Sequence, residues 1–288
     1  MICPPELRKH YQDRRLIPFV GAGASMSVQW DKNGAKTRGP SWAQLVEQAT
    51  TLLGFEKPDL ARVRGTDLQI LEYFKRKHAG QTAKLTNWLS KLMDPPDKDL
   101  EASSIHRELA RLEKCNLFYT TNFDNFLERA FQLHNRTHKV VAVEAQMGGG
   151  YADCLIIKFH GDLDHPDQIV LTESDYEKRI SLTTAMDHRL RADLLGHVIL
   201  FLGYSFRDPN VSYLFRLFTD SFWDKPGSLP GQRAFIVVPD PSDFELELFA
   251  ARRIQVIPVR EDQQTEDITI GGFKFQVQRV NNGAVVHR

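Results

Sequence analysis

Four clusters of small and polar residues stand out, and each directly follows an apolar run of strand length. Gly21-Ala22-Gly23-Ala24-Ser25 follows LIPFV, and Thr121-Asn122-Phe123-Asp124 follows CNLFYT. His160-Gly161-Asp162 overlaps the end of CLIIKFHGD, and Gly203-Tyr204-Ser205-Phe206-Arg207-Asp208 follows HVILFL. A Gly-rich turn after a strand offers backbone N–H groups with little obstruction, so it can approach a diphosphate; the same string also makes a merely tight turn. It is not the GxGxxG fingerprint, because Met26 takes the place of the third glycine, and no Gly-Lys-Ser/Thr follows to make a Walker A loop. Imidazole accepts or releases a proton near neutral pH, so His160 can do acid–base work, although a lone histidine is often structural. The amide of Asn122 can orient a sugar hydroxyl or a water, or cap the next helix. Asp124 falls where a carboxylate meets the positive end of that helix. Gly203 and Ser205 suit a nucleotide pocket, while Arg207 suits either a phosphate or an acidic neighbour. HGDLDHPD has the spacing of a solvated turn and not of a metal site.

These clusters need elements to bring them together. The runs LIPFV, CNLFYT, CLIIKF, HVILFL, AFIVV and IQVIPV are mostly apolar on successive residues, the pattern of strands covered by helices on both faces. Helical spacing follows in NFDNFLERAFQL, NVSYLFRLFTDSFW and PSDFELELFARR. Strand and helix in alternation predict an α/β protein with a Rossmann-like, mainly parallel sheet and helices on both faces. In such a sheet the carboxyl ends of the strands share one edge, and ligands bind outside it where the strand order reverses. The four clusters are then candidates for one site.

The gap between the first two runs exceeds a single crossover. SWAQLVEQATTLLGF, with Ser41 and Gln44 at capping-box spacing, DLQILEYFKRKH, AKLTNWLSKLM and SSIHRELARL predict an all-helical insertion over about residues 30–110. PPDKD at 95–99 reads as a turn within it and QMGGGYAD as a surface loop. ITIGGFKFQV predicts a hairpin within a terminal segment at 264–288, and the whole of 1–288 reads as one catalytic domain.

Composition sets the outer bounds. With 288 residues, 42% hydrophobic and 26% charged, the chain has the makings of one full-sized core. Lys+Arg and Asp+Glu each number 37, which argues against binding nucleic acid by bulk charge. Three scattered cysteines, Cys3, Cys115 and Cys154, exclude a four-cysteine zinc site and fit the reducing cytoplasm. No apolar run is long enough to span a bilayer, and the first residues have no signal-peptide core.

GAGAS at 21–25, TTNFD at 120–124, FHGD at 159–162 and GYSFRDPNV at 203–211 occur in the order of the Sir2 superfamily. Over about residues 15–240 the chain resembles most the Sir2-like NADase domains of bacterial anti-phage defence, of the Thoeris and Sir2/HerA types. The resemblance implies NAD+ as substrate and cleavage of the nicotinamide–ribose bond to nicotinamide and ADP-ribose. It implies Asn122 and His160 as catalytic residues, with Gly21, Ala22, Gly23 and Ser25 at the diphosphate, Asp124 on the nicotinamide side, and Gly203 and Ser205 on the adenosine side. It also implies control by homo-oligomerisation or by a partner, a HerA-type ATPase being the leading candidate, with the insertion and terminal segments supplying contact surface. Two departures set the chain apart from protein deacylases. No cysteine follows Cys154, so no zinc is expected, and MSVQWDKNGAKTRGPSW replaces a GIPDFR-like segment. Water is then the expected acceptor. The alternatives are an NAD-dependent deacylase or ADP-ribosyltransferase, and a silent NAD or ADP-ribose sensor or scaffold.

Overall fold

A computed structural model describes residues 3–148, 152–180, 183–204 and 234–259, with the backbone of four short strands between 266 and 285. The first elements are α1 (Pro5–Gln12), β1 (Leu16–Val20) and α2 (Ala22–Met26). A hairpin of β2 (Trp30–Lys32) and β3 (Ala35–Thr37) precedes α3 (Trp42–Leu52), α4 (Pro58–Arg64), α5 (Asp67–Lys77), α6 (Ala83–Leu92), α7 (Asp97–Ala102) and α8 (Ser104–Arg111). Then come β4 (Leu117–Thr120), α9 (Phe126–Leu133), β5 (Lys139–Val141), β6 (Leu155–Lys158), α10 (Glu173–Ile180), α11 (Ala185–Gly196) and β7 (Val198–Leu202). After the undescribed stretch follow β8 (Ala234–Pro239), α12 (Asp243–Ala251) and β9 (Ile254–Val259). The backbones of β10 (Glu266–Ile270) and β11 (Phe273–Val277) pair antiparallel, as do β12 (Val280–Asn281) and β13 (Ala284–Val285).

Seven strands form one parallel sheet in the order β5-β6-β4-β1-β7-β8-β9. The chain starts at the centre with β1, adds β4 beside it, goes to the edge with β5, returns to place β6 between β5 and β4, and then crosses to the other side through β7, β8 and β9. The order therefore reverses at β1, between β4 and β7. Alternation along each strand feeds two cores. Leu16, Val20, Phe118, Ile156, Val198, Leu200 and Leu202 belong to one face, and Ile17, Phe19, Tyr119, Ile157, Ile199 and Phe201 to the other. Burial on both faces is the physical reason the runs are continuously apolar. The fold is the expected Rossmann-like α/β architecture, with a helical insertion after β1.

The insertion holds its own core of Leu45, Val46, Ala49, Ile70, Leu71, Phe74, Leu85 and Leu89. Ile169 and Leu171 belong to the same cluster, and Phe123 and Leu163 pack against it, so the insertion is seated on the loops that follow β4 and β6. The capping box of α3 forms as expected: Gln44 N–H donates to Ser41 Oγ, and Ser41 N–H to Gln44 Oε1. Thr66 and Gln69 repeat it on α5. Two details differ from expectation. The insertion begins with a β-hairpin, turned by Asn33 and Gly34 at positive φ (57° and 80°). The turn at 95–99 is shorter than read, because Asp97 and Asp99 lie in the first turn of α7, where carboxylates favour the helix dipole. The helix read at NVSYLFRLFTDSFW and residues 149–151 of the QMGGGYAD loop lie outside the described residues. Among the described residues, no helix is long and apolar enough to cross a membrane.

Candidate active site

Strand register brings the sequence clusters together. Val20 on β1 lies beside Thr120 on β4 and Leu202 on β7, and Thr120 lies beside Lys158 on β6. One row thus crosses four strands near their carboxyl ends. Gly21, Thr121 and Gly203 come one residue past the row, and Asn122, His160 and Tyr204 two. They share the sheet edge at the point where the strand order reverses.

The turns after β1 and β7 interlock. Gly21 N–H donates to Leu202 O at 2.8 Å, and Gly23 N–H to Gly203 O at 2.8 Å. A Cβ on Gly21 would lie 2.7 Å from Gly203 O, and one on Gly203 would lie 2.5 Å from Ala24 N. Gly203 also holds φ at +74°. The glycines therefore have a packing reason to be glycine, and two of the amides that could face a phosphate are engaged within the protein. Ala22 is the exposed residue of this turn.

Asn122 is held by three bonds. Its backbone N–H donates to Thr120 Oγ1 at 3.0 Å, and its Nδ2 donates to Gly21 O at 3.0 Å and to Ser25 Oγ at 2.9 Å. Gly21 O can only accept, so the amide orientation is fixed chemically. Both hydrogens of Nδ2 are consumed, which leaves Oδ1 as the group Asn122 can offer to a ligand, and as an acceptor. Ser25 is buried, and its hydroxyl also serves Asp124. Asp124 is buried and accepts from Phe126 N–H at 3.1 Å, bracing the start of α9. Burial pushes its carboxyl up, while the Lys158 ammonium, the Ser25 hydroxyl and the Phe126 amide pull it down. Ser25 and Asp124 thus stand behind Asn122, with observed partners inside the protein. Tyr204 closes this corner, sharing a 2.8 Å bond with Thr121 Oγ1 and donating to Val20 O at 3.2 Å.

His160 is 1% exposed, and among the described residues neither ring nitrogen has a hydrogen-bond partner. A buried imidazole with two unsatisfied nitrogens is costly, which is the situation of a group that waits for a ligand. Burial lowers its pKa well below the ordinary histidine value, and the Arg179 charge lowers it further. The ring is therefore neutral and basic at one nitrogen at physiological pH. The Tyr176 ring meets it edge-on at 5.3 Å between centroids. Arg179 bonds Thr184 Oγ1 and Asp187 Oδ1 and lies over Phe159 at 4.9 Å. Gly161 turns left-handed directly after His160, with φ +77°, and a Cβ there would meet Gln168 O at 2.9 Å.

Ser205, Arg207 and Asp208 lie outside the described residues. Asp162 accepts from His165 N–H at 3.0 Å and meets the His165 ring at 2.7 Å, so HGDLDHPD is a turn, but His160, Gly161 and Asp162 are buried and only Asp164 and Asp167 are exposed, which differs from the solvated turn expected. Among the described residues, no group of three or more His, Cys, Asp or Glu side chains is placed to hold a metal ion. Lys158 and Glu128 were missed by sequence reasoning. Lys158 is 1% exposed and pairs with Glu128 at 2.7 Å, directly beneath the turn of Asn122. A lysine inside an otherwise apolar strand is the signal that could have found it.

Residues 116–257, which hold Asn122, His160 and Gly203 but not the Gly-rich turn at 21–25, match the family described as SIR2-like domain. The chain carries a Sir2-like domain homologous to the relatives that follow. It is 32% identical over 209 residues to the NAD(+) hydrolase ThsA of Enterococcus faecium, covering 71% of this chain and 39% of that protein. With the NAD(+) hydrolase ThsA of Bacillus cereus (strain MSX-D12) it shares 27% identity over 211 residues, or 73% of this chain and 41% of the relative. The Defense-associated sirtuin 2 of Bacillus subtilis is 23% identical over 252 residues, covering 85% of this chain and 23% of that protein. The chain spans about two fifths of the length of the two hydrolases, whose alignments cover 39% and 41% of them.

Proposed function

We propose that the chain is an NAD+ hydrolase that acts in the cytoplasm as a regulated, NAD-depleting effector of anti-phage defence. The observation that carries this reading is the pair of groups at one sheet edge: a buried neutral His160 with two nitrogens unpartnered among the described residues, and an Asn122 whose amide can offer only its oxygen. In the reaction, NAD+ and water give nicotinamide, ADP-ribose and a proton. The glycosidic bond breaks with its electron pair going to the pyridinium nitrogen, and the ribose carbon passes through an oxocarbenium-like state. Asn122 Oδ1 accepts from one hydrogen of the attacking water and fixes its position. His160 takes the other proton of that water as its oxygen bonds to the ribose carbon. The Gly21–Gly203 corner and Ala22 receive the rest of the dinucleotide, together with Ser205. Activity is held in check by a homo-oligomer or by a partner such as a HerA-type ATPase.

Mass-resolved product analysis of the purified chain with NAD+, alone and with the partner, tests the reaction. Nicotinamide and ADP-ribose in equal amounts, formed without an acylated peptide, are expected. An O-acyl-ADP-ribose dependent on acyl-lysine would make it a deacylase, and ADP-ribose attached to protein a transferase. Tight NAD+ binding without turnover would make it a sensor.

A further inference from the structure

We propose that Lys158 is a positioning residue for Asn122: its ammonium clamps the turn between β4 and α9 onto β6, the strand that leads to His160. The inference deepens the hydrolase reading and rests on it. An ammonium has three donors, and Lys158 has three acceptors among the described residues, namely Phe123 O at 3.4 Å, Asp124 O and Glu128 Oε1 at 2.7 Å. Two of them are the carbonyls of the residues directly after Asn122. The carboxylate comes from the first turn of α9, the helix that this turn begins. Ile156, Ile157 and Phe159 around Lys158 are all buried and apolar, so packing alone asks for an aliphatic residue. What a lysine adds is a set of directed bonds to one turn.

Asn122 is thereby held from two sides. Its side chain is bonded to the β1 side, through Gly21 O and Ser25 Oγ, and its turn is tied to the β6 side through Lys158. Since His160 lies two residues beyond Lys158, the clamp fixes the separation of the two groups that must act on one water. Glu128 pairs with the buried ammonium, and among the described residues its Oε2 has no hydrogen-bond partner.

Removing Lys158 alone would strand Glu128 as a buried charge and confuse unfolding with misplacement. The decisive variant is therefore Lys158→Met with Glu128→Met, which removes that ion pair and keeps the volume, while Asp124 keeps its bonds from the Ser25 hydroxyl and Phe126 N–H. It should fold with an unchanged far-UV spectrum, lose about 100-fold in kcat and keep KM for NAD+ within about threefold, as expected of a misplaced but present group. Hydrogen exchange reads the clamp without turnover: amides of residues 122–124 should exchange at least about tenfold faster in the double variant. A folded double variant with wild-type kcat and wild-type exchange would overturn the assignment. A double variant that cannot fold would also overturn it, by making the pair a folding determinant. If the wild-type chain leaves NAD+ intact while the exchange result holds, the hydrolase reading fails and the clamp stands.

Discussion

At the scale of single residues, the two groups that matter most are set apart by what surrounds them. His160 keeps both nitrogens free of partners among the described residues in a buried site, whereas His106, equally buried, spends Nδ1 on Ser103 Oγ at 2.8 Å. Burial lowers the pKa of both, and the proposed mechanism gives the proton transfer to His160. His160→Ala should therefore abolish turnover by at least about 100-fold, the usual worth of a positioned base, while calorimetry still detects NAD+. A fully active alanine variant would remove the histidine from the mechanism. The pH profile follows from the direction of the shift. A base works when neutral, and a pKa below 6.5 keeps His160 neutral as pH falls past 6.5, so kcat/KM should hold its plateau there and fall only at lower pH. An acid limb at or above 6.5 would contradict the burial argument. The sequence singles out His160 and Asn122 because each stands just past an apolar run, and the structure brings both to one sheet edge. Sequence reasoning did not reach Lys158, which hides inside such a run as one charge among CLIIKF, and its meaning depends on Glu128, thirty positions away on another element. Ser25 was legible as part of a turn. Its inward bonds to Asn122 and Asp124 were not, since only the folded chain brings those partners close.

At the scale of elements, long apolar strands and capped helices were legible because one local pattern decides each. The short edge strand β5, three residues long, carries no period that sequence alone could register. The β2–β3 hairpin did carry a signal, the Asn33-Gly34 pair at positive φ, but it is brief beside the helices that follow. The interlocked turns after β1 and β7 were legible only as glycines. Their contact is a tertiary fact with a testable cost. Gly203→Ala must accept both φ +74° and a Cβ 2.5 Å from Ala24 N, and backbone cannot swing aside as a side chain can. Left-handed strain costs about 1–2 kcal/mol, and overpacking adds about 1–3 kcal/mol. Urea unfolding should show a loss of at least about 2 kcal/mol, with turnover falling as well because Gly21 O is one of the two acceptors that orient Asn122. A variant as stable and active as wild type would show that the two turns can part without consequence.

At the scale of the whole molecule, the helical insertion is placed to report on the site. Its core takes in Ile169 and Leu171 from the loop after His160. A polar clasp adds to this, with Gln69 Nε2 donating to Glu173, Ser174 donating to Glu72, and Lys75 paired with Asp175 at 2.8 Å. The face of α5 so joined to α10 steadies the helix that carries Tyr176 and Arg179 against His160. The insertion also exposes Val63 at 80%, together with Phe55 and Tyr73. A contact at Val63 on α4 would reach the histidine through α4, α5 and α10. The proposed homo-oligomer gives such a contact by symmetry, since one patch serves every copy. It alters activity only by favouring the arrangement in which α10 leaves the His160 pocket able to take NAD+. Light scattering over a dilution series, run beside the product assay with and without the partner, should show mass and specific activity changing together. Val63→Glu should shift the mass transition to higher protein concentration and move the activity transition by the same factor. A monomer of constant specific activity at every dilution, unmoved by the partner, would defeat control by assembly while leaving the chemistry of Asn122 and His160 in place.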